Sequence, residues 1–404
     1  MSSPHHRHQA SLEGVLDFSP QPSLTDAERA QARDAFYRIV RHFERIDDDA
    51  QAGATVAAIS RSSSSRGRGR TYSQPRLIRC TYEFALLDTS RDIFLRAFFE
   101  TMALPLGGNE QLDFAELEPL FRGFAEYLMD HFFLPLKAST AQTPQPSPAY
   151  HSAVIRAQGA GPQAFGGIPG TPERLSALRG TCLVRDRFRC VISRSFDSDE
   201  CTKRYEEHGD DARDEDGVLF SQQQLSLASL EVAHILPHAL TKPNASGDLD
   251  KSREAALAIL NMFDNGVTHL INGVDIDRPR NALSLAHGFH RQFGAFKIYF
   301  DAVPGQSNTY QVQSFLPGPV TAAFNLPVVR TLFDTENHTI DMPSPRLLAV
   351  HRAIAHILHL SGAGEYIDRV LRDMEDNNVR SDGSTELGRM VTLGLGRWRD
   401  NTVF

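Results

Sequence analysis

The segment 138–171 constrains the fold most, because it divides the chain into parts. It is rich in Pro, Gly, Ser, Gln and Ala, the composition of a linker that cannot build a hydrophobic core of its own. The chain has 404 residues, and a typical domain has roughly 100–200. We therefore expect two or three packed units, with a domain boundary in this linker.

Composition narrows the class of protein. Hydrophobic residues make up 41% of the chain and charged residues 23%, the values of a soluble globular protein. The net charge of -8 argues against a globally basic nucleic-acid coat, although a local basic patch could still attract a polyanion. The 4 cysteines form no Cys-x-x-Cys pair, so neither a zinc knuckle nor a disulfide framework is indicated.

The sequence also gives expectations about location. The N-terminus lacks the apolar stretch of a secretory signal, and no apolar run reaches the roughly 18 residues of a membrane span. We expect an intracellular protein, in the nucleus or the cytoplasm, that is not secreted and has no membrane partner. The sequence does not indicate an oligomeric state.

Helical periodicity dominates residues 23–137, which follow a disordered tail predicted at 1–22. Thr25-Asp-Ala-Glu28 is typical of a capping box, in which each end residue binds the backbone of the other. The predicted helices cover residues 25–46, 90–103 and 113–134. A Ser/Gly/Arg-rich tract near 50–75 has too few apolar groups to offset its ordering entropy, so we predict a flexible segment there.

The pattern changes after the linker. Thr171-Pro172 is typical of a helix start, and Cys190-Val-Ile-Ser193 of a short strand. The acidic residues between 197 and 216 predict a solvated loop insertion rather than a metal site. Phe296–Phe300 and Tyr310–Phe315 alternate as the two strands of a hairpin.

The C-terminal region, 317–404, is predicted to be helical. Ser344-Pro345 is a good N-cap and first-turn pair for a helix that continues to about Leu360. A further helix is predicted from Tyr366 to Met374.

Three side chains in the middle of the chain suggest chemistry on a phosphodiester. His234 lies two residues after Val232 on a predicted strand, where alternation lets its side chain face a groove. Histidine has an ordinary pKa near 6.5 and is mostly unprotonated at neutral pH, so His234 is our candidate for the general base. Asn281 lies in a predicted loop and could supply an oxygen ligand to a divalent cation. His290 lies on a short helix predicted from Ser284 onward and could supply a nitrogen ligand.

Four runs follow one another in the second half of the chain: Arg185–Ser193, Ala233–Pro237, Asn281–Leu285 and His290–Phe293. Their order and spacing resemble the HNH nuclease domain, particularly the variants found in fungal proteins. The resemblance covers about residues 172–300. It implies a ββα-metal fold, in which two antiparallel strands and a helix hold one divalent cation and cleave nucleic acid.

By that pattern His234 matches the general base. Asn281 matches the central asparagine that shapes the loop or helps at the metal, and His290 matches the histidine on the helix. We therefore predict an HNH nuclease-like domain at 172–316. The predicted fold class is α+β, with mainly helical N- and C-terminal regions around the ββα-metal unit and an adjoining β-hairpin.

Two positions depart from the family pattern. Ala233 stands where many members have a metal-binding Asp or Glu, and Gly294 stands where an Asp is common. Glu231 lies two residues before Ala233 on the same strand face and could substitute as the metal carboxylate, although an ordinary exposed strand glutamate gives the same pattern. His287 shares a helix face with His290 and is a second-choice ligand.

Arginines near the start of the domain could contact phosphates. Arg185, Arg187 and Arg189 are predicted as phosphate-positioning groups, and solvated or salt-bridged arginines are the alternative.

The resemblance thus implies a hydrolase, a metal-dependent HNH-type endonuclease of nucleic acid, with DNA expected as the substrate ahead of RNA. We expect one divalent metal ion, Mg²⁺ before Mn²⁺ or Zn²⁺. The alternative is a catalytically inactive HNH-like module that binds nucleic acid or protein. Ala233, Gly294 and the acidic net charge favour this alternative.

Overall fold

The computed structural model describes residues 22–59, 72–106, 112–140, 171–243, 249–376, 386–395 and 398. Most of the predicted linker and flexible tract, and nearly all of the predicted N-terminal tail, lie outside these ranges. The helices are α1 (Asp26–Ile59), α2 (Gln74–Glu83), α3 (Asp88–Thr101), α4 (Phe114–Leu128), α5 (Leu134–Thr140), α6 (Pro172–Arg185), α7 (Ser198–His208), α8 (Lys251–Asn261), α9 (His287–Gly294), α10 (Gly318–Ala323), α11 (Pro345–Leu360), α12 (Ala363–Glu375) and α13 (Leu387–Leu395). The strands are β1 (Phe196–Asp197), β2 (Leu227–Ala228), β3 (Leu230–His234), β4 (Ala282–Ala286), β5 (Ile298–Ala302), β6 (Thr309–Ser314) and β7 (Val328–Thr331).

This mixture of helices with small sheets is compatible with the predicted α+β class. The chain forms two compact units. The first comprises Met1–Pro135, Lys251–Thr268 and His356–Arg397, and the second comprises Leu136–Asp250, His269–Ala355 and Trp398–Phe404. No helix in the described part of the chain is long and apolar enough to cross a membrane.

The described elements of the first unit are helical. The capping box at its start is confirmed, because the Thr25 backbone N–H donates to Glu28 at 2.8 Å and the Glu28 N–H donates to the Thr25 hydroxyl at 3.3 Å. The helix that follows runs further than predicted, to Ile59. Aromatic rings fill the core between the first helices, in edge-to-face and stacked pairs that include Phe36, Phe94, Phe98, Phe121 and Phe124.

The second unit holds the strands. β1 and β2 pair in parallel, β3 and β4 pair antiparallel, and β5, β6 and β7 form a three-stranded antiparallel sheet. The predicted hairpin is confirmed as β5 and β6. The strand β7 was not predicted, and it lies within the region predicted to be helical.

Two local predictions in this unit were wrong. Cys190–Ser193 forms a turn instead of a strand, and its Val191 N–H donates to the Ser284 carbonyl oxygen at 2.9 Å. The acidic stretch is not a plain loop, because its first part is helix α7. Some of its carboxylates pair with arginines, as in the pair of Arg204 with Glu200 at 2.8 Å, and such pairs reduce the repulsion that the sequence suggests.

Candidate functional site

Strands β3 and β4 and helix α9 carry the predicted site. The strands pair in a register that joins Leu230 to Ala286 and His234 to Ala282. Apolar residues of α6 pack beneath them, in a cluster of Leu178, Cys182, Val232 and Ala282. This buried cluster therefore fixes the backbone of the strands that carry the site.

The helix of the site begins later than predicted. Ser284 lies inside β4, and the backbone turns into the helix only after Ala286. The burial of Ala282 to Leu285 explains the difference, because these four consecutive residues are enclosed in the strand pair. A helix that starts at His287 places that residue and His290 on one face.

Glu231 joins the two helix histidines. Its Oε2 lies 2.6 Å from the Nδ1 of His290, and its Oε1 lies 2.8 Å from the Nδ1 of His287. The hydrogen bond to His290, opposed by burial and assisted by His287, lowers the pKa of Glu231 to about 2. The carboxylate is therefore ionised at neutral pH, and an ionised carboxylate can only accept hydrogen bonds.

The tautomer of both imidazoles follows from this contact. Each Nδ1 must carry the proton that it donates to Glu231. A neutral ring then has its lone pair on Nε2, and in the described part of the chain neither Nε2 makes a hydrogen bond. This is the arrangement of metal-ligating histidines, whose other ring N–H usually donates to a carboxylate. In this orientation both carboxylate oxygens of Glu231 accept hydrogen bonds, one from each histidine.

His234 is the last residue of β3, and its side chain contacts a different carboxylate, that of Asp277. Its Nε2 lies 3.2 Å from Oδ1 of Asp277, a residue of the 3-10 segment Gly273–Asp277. The other carboxylate oxygen of Asp277 lies 3.5 Å from Nε of Arg174 on α6. The side chains of His234 and Asp277 are almost entirely buried, with 2% and 0% of their surface exposed.

Burial lowers the pKa of His234, while the hydrogen bond and charge of Asp277 oppose that shift. The charges of His238 and His290 lower it further, and the His238 ring centre lies 5.7 Å from that of His234. His234 is therefore neutral at neutral pH. Its Nδ1 is enclosed and has no hydrogen-bond partner among the described residues.

Asn281 fastens the loop between the two strands. Its side-chain oxygen accepts from the Leu236 N–H at 3.0 Å, and its amide nitrogen donates to the carbonyl oxygens of Leu236 at 2.8 Å and Ile276 at 2.9 Å. The residue is completely buried. These bonds support the loop-shaping role that the resemblance implies, and the oxygen that was predicted as a metal ligand is buried and accepts from Leu236 instead.

The two departures from the family pattern have local explanations. Ala233 is buried within the β3–β4 pair. Gly294 leaves room for α5: a Cβ at this position would lie 3.0 Å from the Thr140 carbonyl oxygen, and the Thr140 hydroxyl donates to the Gly294 carbonyl oxygen at 2.6 Å. An aspartate at 294 would therefore press against the Thr140 carbonyl oxygen, which would have to move by a few tenths of an ångström.

The predicted arginines have internal partners. Arg185 is fully buried and binds Asp186 and the carbonyl oxygens of Pro279 and Ala282, so the guanidinium predicted to position a phosphate is enclosed by internal partners. Its guanidinium instead holds the start of β4.

The other two arginines form ion pairs within the acidic segment. Arg187 pairs with Asp216 at 2.5 Å and Arg189 with Asp214 at 2.9 Å. Their side chains keep 40% and 18% of their surface exposed. This matches the salt-bridged alternative, and a phosphate would have to compete with these carboxylates.

The imidazoles of His287 and His290 on α9 are the side chains that could bind a divalent cation. In the described part of the chain no three or more His, Cys, Asp or Glu side chains are grouped to hold a metal ion. Fewer protein donors suffice where a cation keeps waters and binds substrate phosphate, as Mg²⁺ commonly does. Imidazole nitrogens suit Zn²⁺ and other transition metals better than Mg²⁺. His290, whose ring orientation is fixed by Glu231, could supply one such nitrogen through Nε2.

Sequence reasoning missed Asp277 and Arg174. Asp277 lies 43 residues after His234 in the chain and belongs to none of the runs that resemble the family. The sequence offers one weak signal, since Asp277 comes four residues before the asparagine that fastens the same loop. Its contact depends on the tertiary fold.

Comparison with known proteins agrees with the geometry. Residues 190–301 match the family model described as HNH endonuclease. No curated protein and no solved structure matches the chain. The matched segment spans β3, β4 and α9 together with their loop, so the part of the chain that carries the predicted site is similar to the HNH endonuclease family.

Proposed function

We propose that the protein is an HNH-type endonuclease that hydrolyses phosphodiester bonds of DNA with the help of one divalent metal ion. The observation that carries the proposal is the β3–β4–α9 arrangement inside the matched HNH segment. It presents a neutral His234 and, on the helix, an imidazole whose proton is fixed by Glu231. We take this arrangement as the ββα-metal unit of the family.

In the proposed reaction His234 acts as the general base. The lone pair on Nδ1 accepts a proton from a water molecule, and the water oxygen attacks phosphorus. The bond from phosphorus to the leaving oxygen breaks, and that oxygen takes a proton from solvent. His234 then returns its proton to solvent and is ready for another cycle.

His290 is the proposed metal ligand, through Nε2, with His287 beside it. Glu231 fixes the ring orientation of both. The cation, when bound, would neutralise charge on the phosphate. Because these donors are imidazoles, we propose Mn²⁺ or Zn²⁺ ahead of the Mg²⁺ expected from the sequence.

Incubation of supercoiled plasmid with the full chain tests this function. We expect nicking with Mn²⁺ or Zn²⁺, its loss after EDTA, and its return when excess metal is added. His290→Ala should require far more metal for the same rate, while His208→Ala, an exposed histidine on α7, should behave as wild type. Cleavage that is unaffected by EDTA and by His290→Ala would refute the metal-dependent reaction.

A second candidate is an HNH-like module that binds nucleic acid or protein without cutting. It is favoured by the enclosure of His234 Nδ1, to which a water molecule must gain access before it can be deprotonated. DNA binding in a gel-shift assay, with no cleavage under any of the metals, would favour this module over the nuclease.

A further inference from the structure

We infer that Asp277 is the positioning residue of His234, and that Arg174 holds Asp277 in the ionised form needed for this role. The inference deepens the proposed nuclease function and rests on it. It adds an acid to the site that neither the sequence pattern nor the family match identifies.

The contact is local and enclosed. Asp277 Oδ1 lies 3.2 Å from His234 Nε2, and almost no surface of either side chain is exposed. The Asp277 backbone belongs to the same loop that Asn281 fastens, through the bond from the Asn281 amide to the Ile276 carbonyl oxygen. The carboxylate is therefore held by the fold beside the imidazole.

Arg174 determines which atom carries the proton. Its Nε lies 3.5 Å from Asp277 Oδ2, and its Nη2 donates to the Val274 carbonyl oxygen at 2.9 Å. A guanidinium at this distance favours the ionised carboxylate, and an ionised carboxylate accepts hydrogen bonds only. His234 must then donate from Nε2, so the lone pair of the neutral ring lies on Nδ1.

This tautomer suits a general base. Nδ1 has no partner among the described residues, so a water molecule admitted to the site would meet an acceptor with no internal competitor. When Nδ1 takes the proton of that water, the ring becomes an imidazolium, and the negative charge of Asp277 stabilises it through Nε2–H. Asp277 keeps its own charge throughout, and no proton passes to it.

The substitution Asp277→Asn should reverse the tautomer. Arg174 would attract the amide oxygen of the new side chain, which turns the NH₂ group toward His234. Nε2 must then accept, and the ring proton moves to Nδ1, where it blocks the base. Asp275→Asn is a matched control, because Asp275 lies in the same 3-10 segment and pairs with Arg278 at 2.7 Å.

Nitrogen-15 NMR of histidine-labelled full chain reads the tautomer directly. We expect Nε2–H at His234 in wild type and in Asp275→Asn, and Nδ1–H in Asp277→Asn. A wild-type His234 protonated on Nδ1 would overturn the inference even if the variants failed to fold. This readout needs neither metal nor DNA.

Cleavage kinetics give the second readout. Asp277→Asn should lower kcat by about 100-fold to 10,000-fold, the range of general-base catalysis, while KM for DNA and the Asp275→Asn rate stay near wild type. Equal kcat in Asp277→Asn and Asp275→Asn would overturn the inference. A wild type that does not cleave would refute the proposed function alone, because the NMR measurement still tests the Asp277–His234 pair.

Discussion

Replacement of Asn281 distinguishes two possible roles of its side chain: holding the loop by hydrogen bonds, or binding a metal ion. Its side chain makes three hydrogen bonds to buried backbone, two with Leu236 and one with Ile276. A net contribution of about 1 kcal/mol per bond gives about 3 kcal/mol, and a buried N–H left without a partner adds about 1–3 kcal/mol. We expect Asn281→Ala to lower the free energy of unfolding of the second unit by about 4–6 kcal/mol.

The isosteric variant Asn281→Asp sharpens this test. It keeps an oxygen for Leu236 N–H but loses both donor bonds, so it should destabilise the protein about as much as alanine. A metal ligand at this position would behave differently, because a carboxylate binds a divalent cation at least as well as an amide oxygen. The account therefore predicts that Asn281→Asp does not improve metal binding.

Urea unfolding, combined with hydrogen exchange of the peptide that contains Leu236, measures the effect. The shift of the urea midpoint at a constant m-value gives the change in stability, and exchange assigns it to the loop. Asn272→Ala is the control, because Asn272 is exposed and its side chain makes no capping bond. An Asn281→Ala variant as stable as the Asn272→Ala control, or tighter metal binding by Asn281→Asp, would refute the reasoning.

Three further predictions concern the same unit. Glu231→Gln removes the charge that orients both imidazoles, so it should weaken Mn²⁺ or Zn²⁺ binding, measured by calorimetry, by about 10- to 100-fold. The control Glu207→Gln, at an exposed residue, should leave the affinity unchanged. Equal metal affinities of the two variants would contradict the orienting role of Glu231. Gly294→Asp meets a carbonyl oxygen at 3.0 Å and should lower stability by about 1–3 kcal/mol, while Gly318→Ala, with no atom within 4 Å, should unfold near the wild-type midpoint. Burial lowers the pKa of His351 to about 3 from 6.5, so the unfolded chain binds a proton that the folded chain excludes. His351 should therefore cost stability as pH falls from 6.5 toward 3, by about 1.4 kcal/mol per pH unit; urea midpoints at pH 7, 5 and 4 should show a flatter slope in His351→Leu, and parallel slopes would contradict it.

The sequence predicted those parts of the fold that depend on local pattern. The capping box at Thr25 and Glu28, the hairpin of β5 and β6 and the helix that begins at Pro345 need only nearby residues. The resemblance further implied two antiparallel strands before the helix of His290; β3 and β4 are antiparallel and precede that helix, while the ββα-metal unit itself stays a prediction.

Features that depend on distant partners were missed or predicted wrongly. The first part of the acidic segment folds as helix α7, in which Arg204 pairs with Glu200 and also with Glu215 further along the chain. Arg185 looked like a phosphate contact because its buried acceptors on Pro279 and Ala282 lie far along the chain. Asp277 escaped notice for the same reason.

Single-turnover cleavage of DNA at saturating metal, by wild type and His234→Ala, tests the central claim most directly. The account predicts that His234→Ala cleaves about 100-fold to 10,000-fold more slowly, while His208→Ala, whose side chain is 61% exposed on α7, cleaves at the wild-type rate. Undiminished cleavage by a folded His234→Ala protein would contradict the claim that this histidine is the base.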